Sequence, residues 1–372
     1  MKIFYDHQIF SYQKVGGISK YFSELYANLI NIADINIKLG LKINVNYYLK
    51  SILSKTNEDI KTIRTNNVLY KYFIYKINNK FSSSILRNNN YDILHSTFYD
   101  PYTLQYNKKK HVITVHDMIP ELYSKYFKGT IYSYLITRKW IWGKKQLIEK
   151  ADKIISVSQK TKEDLIKVYK VPESKIEVIY HGYNNLPDPS EKLISEPYIL
   201  YIGLRDKYKN FVGFVKGVSQ ILKKEKIKVL CIGGGKFTNN EKQLLEEYQV
   251  EKYFIQKYVN DSELASAYRH ALCFVYPSEY EGFGMPILEA FSQCCPTILS
   301  DSSCFPEIGG DAVQYFKWDN SEEMKEKILD VINSSNIRQM LIEKGRKRLE
   351  LFSWGKSSGK HYEVYKNILR EC

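Results

Sequence analysis

Short apolar runs alternate along this chain with longer stretches in which apolar residues return every three or four positions. In the first half the runs are "MKIFYD" at the start, "YDILHST" from Tyr91, "HVITVHD" from His111, "DKIISVS" from Asp152 and "KIEVIYHG" from Lys175. In the second half they are "PYILYIG" from Pro197, "IKVLCIGG" from Ile227, "ALCFVYPS" from Ala271 and "PTILSD" from Pro296. Helical patterns fill the gaps of the second half at Phe211 to Lys223, Glu241 to Tyr248, Ser262 to Arg269 and Pro286 to Gln293. Strands rich in Ile, Val, Leu and Tyr, separated by helix-length segments, predict a parallel sheet with helices on both faces. The class is α/β, and the pattern occurs twice, so two doubly wound units are expected. Three prolines in "NNLPDPSEKLISEP", Asn184 to Pro197, break both periodicities and set the boundary between a first domain at 1–188 and a second at 189–354. A terminal helix is expected over about 355–372, with Tyr362, Tyr365, Ile368 and Leu369 at three- and four-residue steps.

Composition narrows this picture. A length of 372 residues suits two domains better than one core, and 44% hydrophobic residues fit a globular protein. No run approaches the 18 or so uninterrupted apolar residues of a membrane span, and the N-terminus reads as a strand, not as a signal peptide. The six cysteines form no CxxC pair and have no histidine at metal-ligand spacing, which predicts free thiols in a reducing cytoplasm. Charge is uneven. Residues 1–190 carry 29 Lys and Arg against 16 Asp and Glu, whereas 191–372 carry 26 against 25. A basic half beside a neutral one points to an anionic neighbour for the first half: a membrane surface, a phosphate-bearing acceptor or nucleic acid.

Open α/β sheets bind ligands in the loops beyond the carboxyl ends of their strands. "QKVGGISKYF" places Gly16 and Gly17 in a turn that opens a helix, where free backbone N–H groups suit an anion. "TVHDMIPE" places His116 and Asp117 just past a strand, as a functional pair or as a helix cap. "YIGLRDKYKN" sets Arg205 and Lys209 four apart before a helix, an arrangement that suits a diphosphate or is simply solvated. The glycines of "CIGGGKFTNNE" do not complete GxGxxG and read as a turn with close backbone approach, which disfavours a dinucleotide-dependent oxidoreductase.

"SEYEGFGMPILEAF" is the densest stretch. Gly282 and Gly284 allow a turn, Pro286 suits a first helical position, and Glu289 is then expected in the first turn of the helix. Glu281 projects from the loop beside the backbone N–H groups of Phe283, Gly284, Met285 and Ile287. One carboxylate can accept from the vicinal hydroxyls of a ribose while the other reaches a second sugar across a diphosphate. A glycosidase-like acid/base pair is the competing reading. Asp-x-Asp is absent from the whole chain, so no metal site is expected, and cations with helix ends must stabilise a departing diphosphate.

These residues resemble glycosyltransferase family 4, retaining GT-B enzymes that use nucleotide-diphospho-sugars. "EGFGMPILE" matches the Glu-x7-Glu signature, and "GGISKYF", "TVHD", "IISVSQKTKEDL", "VIYHGYN", "YIGLRDKYKN", "DSSCFPEIGGDAVQYF" and "FSW" accompany it in order. The resemblance implies two Rossmann-like domains facing a cleft, with the last helix crossing back onto the first. It implies that Arg205 and Lys209 hold the diphosphate and Glu289 the ribose. Glu281, with the backbone of Phe283, Gly284 and Met285, then contacts the transferred sugar. His116 with Asp117 acts on the sugar by positioning and charge stabilisation, and Gly16-Gly17 lies between donor and acceptor. No cofactor or metal is implied, and the acceptor is a glycan or a lipid-linked oligosaccharide. Similarity to O-antigen mannosyltransferases favours GDP-mannose over UDP- or dTDP-sugars. "KYFKGTIYSYLITRKWIWGKK", Lys125 to Lys145, mixes aromatics with cations and suits an anionic membrane surface, which predicts a cytoplasmic protein peripheral to the inner face of the membrane. A nucleic-acid-binding protein, suggested by charge alone, leaves the Glu motif unexplained. A non-catalytic carbohydrate-binding relative is the third reading.

Overall fold

The computed structural model describes residues 1–56, 58–65, 67–127, 131–205 and 207–371. The chain divides into two compact units, Met1–Gly182 with Trp354–Cys372, and Tyr183–Ser353. The division falls just ahead of the proline-rich segment, since Tyr183 pairs with Ser353 in a parallel bridge.

The first unit is built on β1 (Lys2–Tyr5), β2 (Asn36–Leu39), β5 (Ile93–Ser96), β6 (Lys110–Val115), β7 (Lys153–Ser156) and β8 (Ile176–Val178), with a separate two-stranded pair, β3 (Ile43–Asn44) and β4 (Lys61–Thr62). The sheet order is β2-β1-β5-β6-β7-β8, and every pairing is parallel. Its central strands are buried on both faces, which is why they read as continuous apolar runs. Among the helices, Gly17–Leu29 packs against the closing helix Trp354–Arg370, which belongs to this unit and buries Trp354, Val364, Tyr365 and Ile368 in its core.

The second unit is continuous. Its strands are β9 (Tyr198–Ile202), β10 (Lys228–Ile232), β11 (Phe254–Lys257), β12 (Cys273–Tyr276), β13 (Thr297–Ser300) and β14 (Gln314–Phe316), in the order β11-β10-β9-β12-β13-β14 and all parallel. The strand order reverses between β9 and β12. That reversal opens a crevice between the loops leaving the two strands, the place where doubly wound sheets take their ligands.

A buried polar chain runs through the first unit. The Tyr5 and Tyr365 hydroxyls lie 3.0 Å apart, Tyr365 lies 2.7 Å from His95 Nδ1, and His95 Nε2 lies 2.9 Å from Thr114 Oγ1. Thr114 continues to the Tyr21 hydroxyl at 3.3 Å, Tyr21 to His361 Nε2 at 2.6 Å, and His361 Nδ1 to the Ser357 carbonyl at 2.7 Å. The last contact fixes the direction of the whole chain. A carbonyl can only accept, so His361 donates from Nδ1 and must accept from Tyr21 at Nε2. Tyr21 has then spent its proton and accepts from Thr114, which accepts from His95 Nε2. His95 Nδ1 accepts from Tyr365, and Tyr365 accepts from Tyr5. Each proton has one acceptor, and the closing helix supplies three members, Ser357, His361 and Tyr365.

Candidate functional site

At the crevice of the second unit, the loop after β9 carries Lys209 and the loop after β12 carries Glu281. The structure joins the two loops twice. The Glu279 N–H donates to the Tyr208 carbonyl at 2.7 Å, and Lys209 Nζ meets Glu281 Oε1 at 2.5 Å. Lys209 also lies over the Tyr276 ring at 5.6 Å. Ser303 fixes the Glu281 backbone from both sides: its hydroxyl donates to the Glu281 carbonyl at 2.6 Å and accepts from the Glu281 N–H at 3.3 Å. The carboxylate is therefore held in place and buried, not projecting freely from the loop.

Beyond Glu281 the chain turns at Gly284, whose φ of +90° is open to glycine and strained for other residues. The helix Met285–Ser292 starts there with Pro286 in its first positions and no side chain capping its N-terminus. Phe283 is buried and meets Phe352 edge-on at 5.9 Å between centroids. Glu289 corrects one expectation: it is the fifth helical residue, a full turn in, and none of the first-turn residues is acidic. From there its Oε2 accepts from the buried Tyr268 hydroxyl at 3.0 Å. A residue in the first turn would point back along the loop, whereas Glu289 is held from the side by the neighbouring helix Asp261–Arg269.

Arg205 is placed differently from Lys209. Its guanidinium is fully buried and binds carbonyls of the next loop: Gly233 at 2.7 Å, Gly234 at 3.3 Å, Gly235 at 2.7 Å and Lys236 at 3.1 Å. Its Nε donates to Glu241 at 3.0 Å. The three glycines all have positive φ, and a Cβ on Gly234 would sit 2.9 Å from Arg205 Nη1. Arg205 is thus the clasp of the Gly233–Lys236 turn, and Arg205 and Lys209 do not converge as a pair.

In the first unit, His116 and Asp117 follow β6. The His116 ring is buried, packs edge-on against Tyr21 at 4.8 Å, and its Nε2 has no hydrogen-bond partner. Burial pushes its pKa well below the ordinary histidine value, with His181 and Lys144 adding to the shift, so the ring is neutral. Asp117 Oδ1 accepts from the Ile119 N–H at 3.0 Å, just ahead of a short helix, Ile119–Leu122. Its carbonyl accepts from Lys144 at 3.0 Å. Lys144 is itself buried and paired with Glu121 at 2.9 Å, and Glu121 accepts from Tyr169 at 2.8 Å. Lys144 had been grouped with the basic, membrane-facing segment, and the structure gives it this internal post instead. Part of that segment, residues 128–130, lies outside the described residues. Gly16 precedes the helix Gly17–Leu29 in extended conformation, and the Gln13 side chain takes the Ser19 N–H at 3.1 Å. A Cβ on Gly16 would sit 2.4 Å from that Gln13 oxygen, while Gly17 has open space around it.

Sequence reasoning missed Tyr268, Ser303, Tyr276 and Lys144. Each acts through a contact remote in sequence, and although all four lie in stretches the sequence had marked, none was marked for that contact. Among the described residues no three His, Cys, Asp or Glu side chains cluster in a way that could hold a metal ion.

Two all-parallel, doubly wound α/β units in succession are the GT-B fold of glycosyltransferases. The chain belongs to glycosyltransferase family 4: the model described as "Glycosyltransferase Family 4" matches residues 57–185, and "Glycosyl transferases group 1" matches 184–348. Among curated relatives, the O-antigen chain mannosyltransferase RfbU of Salmonella typhimurium is 25% identical over 325 residues, covering 85% of this chain and 87% of RfbU. O-antigen chain mannosyltransferase B of Escherichia coli is 27% identical over 292 residues, 72% of each. Among solved structures, sucrose-phosphate synthase from Thermosynechococcus elongatus superposes over 100% of both chains with a TM-score of 0.75 at 18% identity, a likeness of fold.

Proposed function

We propose that this glycosyltransferase moves a hexosyl group, mannose from GDP-mannose in the first instance, to a glycan acceptor carried on a lipid during assembly of a surface polysaccharide. The transfer retains anomeric configuration and uses no metal ion. The observation that carries the donor half of this reading is the Lys209–Glu281 pair at the β9/β12 crevice, beside the open N-terminus of Met285–Ser292. Lys209 and that helix end supply positive potential for a diphosphate. Glu289, steadied by Tyr268, is suited to a ribose, and Glu281 to hydroxyls of the transferred sugar. In this scheme the bond from the anomeric carbon to the diphosphate oxygen breaks. The acceptor oxygen attacks the same face, and its proton passes to the departing phosphate oxygen. The neutral His116 ring positions the sugar and takes no part as a base. The mannose assignment draws on the named mannosyltransferase relatives.

Thermal-shift titration against GDP-, UDP- and dTDP-sugars tests the reading. A ligand at a hundred times its dissociation constant adds about 2.7 kcal/mol to stability. GDP-mannose should stabilise the protein, and Glu289→Ala should weaken that binding on the order of tenfold. Stabilisation by UDP-sugars alone sinks mannose and keeps the class. No response to any nucleotide sugar, with no transfer to extracted lipid-linked glycans, sinks the class.

A further inference from the structure

The helix Val68–Asn88 presents two apolar faces, and only one has protein against it. Ile74, Asn78 and Ile85 turn inward and are buried. On the opposite side, Leu69, Phe73 and Ile77 follow one another at four-residue steps and are exposed at 71%, 61% and 47%. Tyr72, exposed at 56%, lies on the same side, with Lys76 over its ring at 5.3 Å. Lys76 and Lys80 complete the stripe, and the helix contains no acidic residue at all. A soluble surface seldom leaves a row of this kind bare.

The stripe does not end with the helix. Tyr75, on its flank, meets Tyr12 at 5.3 Å, Tyr12 meets Phe98 at 5.5 Å, and Phe98 meets Trp140 at 5.5 Å. Tyr12 and Trp140 are themselves exposed, so an aromatic band leads from this helix across to the helix Ile131–Lys150.

We infer that this band, centred on Leu69, Phe73, Ile77, Lys76 and Lys80, docks the first unit onto an anionic lipid bilayer. Apolar and aromatic side chains on the outer face of a helix, fringed by lysines and free of carboxylates, match the boundary between acyl chains and anionic headgroups. The excess of 29 cations over 16 anions in residues 1–190 has the sign that such a surface attracts. No helix among the described residues is long and apolar enough to cross a membrane, so the contact is with the surface. The inference does not rest on the identity of the donor. It also shifts the membrane-facing element from Lys125–Lys145 toward a helix whose composition had drawn no notice.

The test is sedimentation of the full chain with vesicles of phosphatidylcholine, with or without 30% phosphatidylglycerol as about a third of the lipid. Binding should require the anionic lipid and fall with salt. Each lysine near the surface is worth about fivefold in affinity, so Lys76→Gln with Lys80→Gln should weaken binding about 25-fold. Leu69→Ser, Phe73→Ser and Ile77→Ser together should weaken it on the order of tenfold or more, with an unchanged melting temperature because the side chains are exposed. Leu135→Ser with Trp142→Ser serves as the control in the neighbouring helix and should weaken it less. Equal binding to neutral vesicles, or binding indifferent to the triple change, overturns the inference. So does a protein that sediments as a dimer and becomes a monomer on the triple change, because a second copy then covers the stripe.

Discussion

Lowering the pH from 7.5 to 5.5 should open the first unit and leave the second folded. Six of the seven histidines lie buried in the first unit, and burial depresses all six. His7 and His181 are lowered to about 3 and His111 and His361 to about 4, from 6.5, while His95 and His116 are lowered well below it. For His7 and His116 one ring nitrogen has no partner, so no acceptor waits there for an added proton. The unfolded chain takes up protons near pH 6.5 and the folded one does not. Stability is therefore complete above that value and is lost as the pH falls toward the folded values. At pH 5.5 each ring costs on the order of 1 kcal/mol, and the six together a sum comparable to the roughly 5–15 kcal/mol that holds a whole domain. Asp6 pulls the other way. Its carboxyl, raised by burial to about 6 from 3.8, takes a proton in the folded state first and returns about 1 kcal/mol at pH 5.5. In the second unit, His270 is exposed. Hydrogen exchange resolved by peptide at the two pH values measures the effect, comparing amides of β5, β6 and β7 with those of β9, β10 and β12. Equal protection of the first unit at both pH values, or earlier opening of the second, would refute the reasoning.

Two substitutions probe the internal clasps. Arg205→Ala removes the partner of a loop of carbonyls and of Glu241, and should destabilise the second unit by about 3–5 kcal/mol in urea, with Arg205→Lys giving little rescue. Lost nucleotide affinity at unchanged stability would return Arg205 to the diphosphate. Tyr365→Phe keeps the ring contacts but strips His95 Nδ1 of its donor and Tyr5 of its acceptor, which should cost the first unit about 2–3 kcal/mol, read as its urea midpoint. An unmoved midpoint would contradict the stabilising role given to the buried chain.

The sheet cores were legible because parallel strands such as β6 and β12 bury all or all but one of their residues and so stand out as apolar runs. Of the four edge strands only β8, in the run from Lys175, was legible. β2 alternates exposed and buried residues over four positions, and β14 spans three, too little for either period to register. Among site residues, Lys209 and Glu281 could be placed from their loops, because strand ends in this architecture are where side chains converge. Arg205 was marked for the same reason, but its contacts were not legible. A cation before a helix looks like a phosphate ligand, and the carbonyls that occupy it belong to a loop after the next strand. Glu289 was placed one position early, inside the first turn, because proline usually marks the first helical residue, whereas here Met285 precedes it. The exposed stripe of Val68–Asn88 was invisible in sequence, since a helix with two apolar faces looks like one that is merely buried.

The closing helix bears on how the molecule comes off the ribosome. Residues 1–182 hold most of the first unit, yet Tyr365 and His361 complete its polar chain and Trp354 its core. Between them lies the whole of Tyr183–Ser353, 171 residues, which at about 5–20 residues per second takes on the order of 10–30 s to synthesise. Through that interval Tyr21 and His95 lack their final partners and the helix Gly17–Leu29 lacks its cover. The second unit, continuous in sequence, can therefore reach its native state before the first, reversing the order in which the two begin to be made. The nascent first unit waits, open on one side, for its last seventeen helical residues.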